Sequence, residues 1–284
     1  GHDRPRREAP RLVGGRVRQP SRAVRAMATV LIGFVATACL ASCGVGGESA
    51  DVNSTATAAA AGQFPWMAST QVAGRAPCGG ALIAPTWVLT GKHCHSSFLL
   101  DDPSRWEVRI NSIDHTQGGE LIPARAFIDY PDDDVDLSLV ELASPAIAEP
   151  VALVPETEIR PYEVGAKAIT LGWGTDGISK RPTQILDWQA QVTANNNTCD
   201  GGSNGVFCAG RPGNAGSGTC TFDSGSPLIW AANGFAADGT PASEPFVVAT
   251  LRGLFNESCG VPGENDDWQA TDGEYGRWIR THIA

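Results

Sequence analysis

An all-β fold is predicted by two features of the sequence. The 33 Gly and 19 Pro are spread along the 284 residues instead of forming one block, the distribution expected of many short strands joined by turns. The apolar runs are also short and stop at turn residues, as where Ala81-Leu82-Ile83 and Trp87-Val88-Leu89 flank Pro85-Thr86. With 42% hydrophobic residues, the chain is long enough to bury one or two sizeable cores.

Charge is unevenly placed. Residues 1–42 carry eight Arg and no Lys against Asp3 and Glu8, although the whole chain stands at −10. The remainder is therefore strongly acidic and repels nucleic acid and anionic lipid, so neither is an expected partner.

The N-terminus reads as an address. Arg-rich sequence ending at Arg25 precedes the apolar run Ala28 to Leu40, which is too short to span a bilayer comfortably and has the charged and apolar regions of an export signal. Leu40-Ala41-Ser42-Cys43 resembles the lipobox of bacterial lipoproteins, with Cys43 as the lipidated residue. The alternative is an ordinary signal peptide cut at a small-residue site. We expect an export signal over 1–43, then a flexible tether over 44–61, rich in Gly, Ser, Thr and Ala. The folded domain is expected over 62–284. The chain would be exported, lipid-anchored at Cys43 or otherwise secreted, and monomeric.

Six cysteines remain in the body: Cys78, Cys94, Cys199, Cys208, Cys220 and Cys259. An even set in an exported chain implies three disulfides, and six cysteines allow about fifteen pairings. Zinc is the competing use, but no Cys-x-x-Cys pair is present, and we expect neither metal nor organic cofactor.

Three segments carry reactive residue types. The stretch from Cys78 to Cys94 reads as two apolar strands around Pro85-Thr86, ending on His93 beside Cys94. Asp136 stands at the head of the strand-like run Leu137-Ser-Leu-Val-Glu-Leu142, whereas Asp132, Asp133 and Asp134 read as a solvated acidic turn. A carboxylate buried there needs hydrogen bonds, and accepting from an imidazole Nδ1–H supplies one while leaving Nε2 free as a base. Ser224 lies in Cys220-Thr-Phe-Asp223-Ser-Gly-Ser-Pro-Leu228. Serine is a weak nucleophile without an adjacent base, and a tight Gly-containing turn can expose its hydroxyl while aligning N–H groups for an oxyanion.

These segments resemble, in order, the Cys-Gly-Gly-x-Leu-Ile…Trp-Val-Leu-Thr…His-Cys, Asp-Ile-Ala-Leu and Gly-Asp-Ser-Gly-Gly-Pro-Leu motifs of the trypsin and chymotrypsin-like serine peptidases. Gln63-Phe-Pro-Trp66, Gly172-Trp-Gly174, Cys208-Ala-Gly210 and Tyr275-Gly-Arg-Trp-Ile279 extend the resemblance over 62–284. It implies two packed six-stranded antiparallel β-barrels, at about 62–155 and 156–270, with a closing helix at about 272–283. It implies a catalytic triad of His93, Asp136 and Ser224, and an oxyanion hole from the amides of Phe222 and Ser224. It also implies bridges Cys78 with Cys94, Cys199 with Cys208 and Cys220 with Cys259. Gly218, Thr219 and Gly253 would line the primary specificity pocket, and Asp266 or Asp267 would approach its base.

Four departures stand out. Phe222 replaces the family's glycine in the oxyanion hole, and Leu251 replaces a serine beside the triad acid. Gly218 replaces an acidic residue of the trypsin type. No basic cleavage site lies ahead of Gln63 to free an amine for Asp223, so Lys92 or Arg252 is expected to supply a cation in its place. The predicted function is a serine endopeptidase acting on proteins or peptides; the alternative is a catalytically silent homologue serving as a surface binding module.

Overall fold

The computed structural model describes residues 56–96, 101–175, 181–254 and 259–284. The export signal and Cys43 lie outside them.

The first barrel is built from β2 (Met67–Val72), β3 (Arg75–Ala84), β4 (Trp87–Thr90), β5 (Trp106–Ile110), β6 (Glu120–Asp129) and β7 (Ser138–Leu142), closed in the order β2-β3-β4-β7-β6-β5. Its construction follows local chemistry. Ala73 and Gly74 both have positive φ, at 51° and 73°, the two-residue turn that matches strand twist and sets Val72 opposite Arg75. Pro85-Thr86 turns β3 into β4, with Ala84 opposite Trp87. In β5, Trp106, Val108 and Ile110 are buried while the residues between them are not, the period of two that gives a strand one core face. Leu82, Leu89, Ile110 and Leu139 are fully buried at its centre.

The second barrel uses β9 (Lys167–Gly172), β10 (Asp187–Thr193), β11 (Val206–Gly210), β12 (Pro227–Ala231), β13 (Pro245–Leu254) and β14 (Asp266–Ala270). Pairings run β10-β11-β14-β13-β12-β9, and β9 returns to β10, so this sheet closes as well. Two short strands attach outside the ring: β8 (Ala152–Leu153) lies parallel to β13, and β1 (Thr57–Ala58) lies antiparallel to β10. Leu228, Val248 and Trp268 are fully buried here.

β1 lies ahead of residue 62. Thr57 pairs with Trp188 and Ala58 with Asp187, while the Ala59 amide donates to the carbonyl of Leu186 and Ala59 is buried. The last residues of the expected tether are thus part of the second barrel's edge.

Two helices matter for the site. A single turn, α1 (His93–Ser96), follows β4, and α2 (Gly273–Ile283) closes the chain with Tyr275 and Ile279 buried. Tyr130, between β6 and β7, meets the rings of Tyr275 and Trp278 at 5.4 and 5.2 Å, so α2 braces the loop that leads to Asp136.

Candidate active site

The bridge Cys78–Cys94 ties β3 to α1 across 16 residues, a constraint of about 3 kcal/mol in the chain-entropy picture, and so anchors the turn bearing His93. The other bridges are Cys199–Cys208 and Cys220–Cys259. Cys78, His93 and Cys94 form the one group of metal-ligand types drawn together among the described residues, and both sulfurs are already bonded to each other.

His93 and Asp136 meet. The Asp136 Oδ2 lies 2.6 Å from His93 Nδ1, and Oδ1 accepts the His93 backbone N–H at 2.8 Å. One carboxylate therefore holds both the ring and the main chain of the same histidine. An ionised carboxylate only accepts, so in this contact the ring donates from Nδ1. Asp136 is 8% exposed, whereas Asp132, Asp133 and Asp134 are exposed, the division expected from the sequence. Gly91 leaves room for this contact: a Cβ there would stand 3.0 Å from His93 Nδ1 and 3.2 Å from Asp136 Oδ2. From the second barrel, the Gln269 side-chain oxygen accepts the Asp136 N–H at 3.3 Å, a long-range support with no local sequence signal.

Ser224 lies partly exposed on the connection between β11 and β12. Its carbonyl accepts the Gly79 N–H at 2.8 Å, which docks the loop on β3. Gly225, at φ 71°, packs so closely that a Cβ would strike the Thr90 hydroxyl and come within 2.8 Å of the Gly79 carbonyl. Thr90 itself donates to that carbonyl at 2.8 Å. The serine loop is thereby seated on the strands that lead into His93. Among the described residues the Ser224 hydroxyl makes no hydrogen bond, and the nearest partner of His93 Nε2 is the Cys94 sulfur, 4.0 Å away.

Phe222 adopts φ 78°. It is the third residue of a turn closed by the Asp223 N–H donating to the Cys220 carbonyl at 3.0 Å, a position where positive φ favours glycine. The backbone has kept the glycine conformation despite the side chain.

Asp223 is buried, and its oxygens accept the N–H groups of Gly174 at 2.7 Å and Cys220 at 2.9 Å. No cation joins it among the described residues, and burial pushes its carboxyl up to about 7. This corrects the expectation for Lys92 and Arg252. Lys92 binds the exposed Asp133 at 2.8 Å, and Arg252 lines a cleft with His93 and Asp136. The reason lies in the ladder: the register of β13 on β14 slips between Leu251 and Gly253, which bulges Arg252 out of the pairing. Leu251 is buried and offers Asp136 no hydroxyl.

A cavity of about 350 Å3 is lined by Gly218, Thr219, Asp187, Asp223 and Ala56, among others; Gly253 is not one of its walls. The Asp266 Oδ2 accepts the Gly218 N–H at 3.0 Å, and burial pushes this carboxyl up to about 7 against the opposing pull of Gly218 and the Thr219 side chain. Asp267 instead accepts from the Asp200 N–H at 2.9 Å, so Asp266 is the acid bonded to Gly218.

With the bridges, the His93–Asp136 contact and the docked serine loop in place, comparison with known proteins becomes informative. The family model for Trypsin matches residues 54–248. The chain belongs to the trypsin family. A trypsin from Phaedon cochleariae is 28% identical over 179 residues, which cover 58% of this chain and 69% of its own length. Neuropsin, a serine protease expressed in the limbic system of mouse brain, shares the fold with a TM-score of 0.64 at 23% identity, over 81% of this chain and 99% of its own. The trypsin-family match begins at 54, before the predicted domain start and just ahead of β1.

Proposed function

We propose that this trypsin-family protein is a secreted or surface-anchored serine endopeptidase. The carrying observation is the double grip of Asp136 on His93, at 2.6 and 2.8 Å, which selects the tautomer a general base needs. Ser224 Oγ attacks the scissile carbonyl and gives its proton to His93 Nε2. The N–H groups of Phe222 and Ser224 receive the oxyanion, and Asp136 stabilises the imidazolium. His93 returns the proton to the leaving amine, and water then hydrolyses the acyl-enzyme by the same route in reverse. No metal or cofactor takes part. Export, and anchoring through a lipidated Cys43, rest on the sequence of residues 1–43.

Preference at the cleaved bond is apolar or mixed, because Gly218 stands where trypsin-type members carry an acid; basic residues are admitted to the extent that Asp266, whose Oδ2 accepts the Gly218 N–H, is ionised. Hydrolysis of short peptides differing only in the residue before the scissile bond tests this reading. Turnover lost in Ser224→Ala is the expected result, and no turnover of any peptide by the mature wild type contradicts it. A silent binding module is the second reading. It is favoured by the absence of a cation beside Asp223 and by the free Ser224 hydroxyl, both among the described residues.

A further inference from the structure

A second histidine lies two residues beyond His93 in the same turn, and the mechanism above does not use it. His95 is 4% exposed. Its Nε2 lies 2.9 Å from Asp129 Oδ1, its Nδ1 lies 3.1 Å from Asp101 Oδ1, and the Ser138 hydroxyl is 3.4 Å from Nε2. The ring stacks on Phe127, 4.3 Å away and 11° from parallel.

The geometry assigns the charge. A carboxylate only accepts hydrogen bonds, so a ring nitrogen facing one carries a proton, and two such nitrogens make an imidazolium. A neutral ring would aim one lone pair at a carboxylate. The opposing influence is burial against Thr70, Thr90, Cys94, Trp106, Val108 and Val140, which disfavours charge. The charged groups facing the ring are Asp129 from β6 and Asp101 from the loop before β5, with Lys92 acting on Asp129 from the residues just before α1. Their balance leaves His95 above its ordinary value.

Placement turns this ion cluster into a link. His93 and His95 share α1, and Asp136 precedes Ser138, the first residue of β7, by two positions. Ser138 pairs across the sheet with Asp129. The contacts of His95 with Asp129 and Ser138 therefore repeat, one layer further into the barrel, the connection that His93 makes with Asp136. Both join the same two pieces of chain.

Building on the serine-endopeptidase reading, we infer that His95 is a positioning residue, a charged strap that locks the turn carrying His93 to the strand pair carrying Asp136 and loosens their contact when it loses its proton.

The test uses the mature chain, its Asp129→Asn and Asp101→Asn variants and His95→Phe, with kcat and KM followed against pH and the imidazole protons and nitrogens followed by NMR. In the wild type, His95 stays doubly protonated at pH 7, and kcat falls when it titrates at higher pH. Asp129→Asn moves that fall to lower pH by about one unit or more with KM nearly unchanged. Asp101→Asn, whose side chain is 72% exposed, moves it less and keeps the fold safe as a control. His95→Phe lowers kcat about tenfold or more at every pH and removes that limb. A wild-type His95 that is neutral at pH 7 overturns the inference, as does an Asp129→Asn profile unchanged from the wild type. The low-field Nδ1–H resonance of His93 gives a readout independent of turnover. If the wild type hydrolyses nothing, the endopeptidase reading fails. The strap then stands if that resonance is lost at lower pH in Asp129→Asn and falls if it persists unchanged.

Discussion

The Gly79 N–H donates to the Ser224 carbonyl at 2.8 Å, a single main-chain bond that fastens the loop of the candidate nucleophile to a strand of the other barrel. The approach is so close that a Cβ on Gly79 would collide with the Ser226 hydroxyl and lie 3.1 Å from the Ser226 Cα. Nothing but glycine fits without moving the loop.

Gly79→Ala should therefore act at a distance from its own strand. We expect a loss of about 1–3 kcal/mol in stability, the usual cost of overpacking, and a fall in kcat greater than the change in KM. Denaturant unfolding and steady-state kinetics check both. A variant with wild-type kcat would show that the serine loop does not depend on this docking.

Asp136→Asn keeps the shape of the acid but lets an amide face His93 Nδ1, which favours the wrong tautomer. A drop in kcat of about ten-thousandfold at neutral pH is expected, with stability little changed. Progress curves at high enzyme concentration measure it. A loss smaller than about tenfold would mean that Nε2 is not the base.

Phe222 holds a positive φ that costs an ordinary residue about 1–2 kcal/mol. Since the turn already has the conformation glycine would give, Phe222→Gly should raise stability by about 1 kcal/mol and kcat only modestly. A gain in kcat near the hundredfold or more that one oxyanion donor is worth would show instead that the Phe222 amide is misaimed in the native loop.

Asp223 sets a pH dependence of stability. Its folded pKa of about 7 lies above the ordinary 3.8, so between those values the folded state binds more protons than the unfolded one and stability falls as pH rises. The loss begins near pH 4, amounts to at most about 1.4 kcal/mol per pH unit and ends above pH 7. Asp266 adds a parallel slope. Asp223→Asn should flatten the fall, read from denaturant midpoints at pH 5 and 8. An unchanged slope would place a cation beside the carboxylate in solution.

Much of this site could be read from the sequence because its chemistry sits in short local motifs. His93-Cys94, Asp136 before an apolar strand and Asp223-Ser224-Gly225 each carry their meaning within a few residues. What escaped was contact between distant segments. Gln269 supports Asp136 from 133 positions away, and Gly79 fastens Ser224 from the other barrel. β1 is two small residues that become a strand only by pairing with β10. His95 carries no motif of its own, and its burial between two carboxylates is what distinguishes it. Arg252 was misjudged because a bulge in β13, invisible in composition, turns it toward His93 and away from Asp223.

An activated Ser224 reacts through the base His93. Treating the mature protein with a fluorophosphonate and mapping the adduct by mass spectrometry tests it most directly, with Asp136→Asn in parallel. Stoichiometric modification confined to Ser224, greatly slowed in Asp136→Asn, is the expected result. An unmodified Ser224 in folded wild-type protein with all three bridges intact would contradict it.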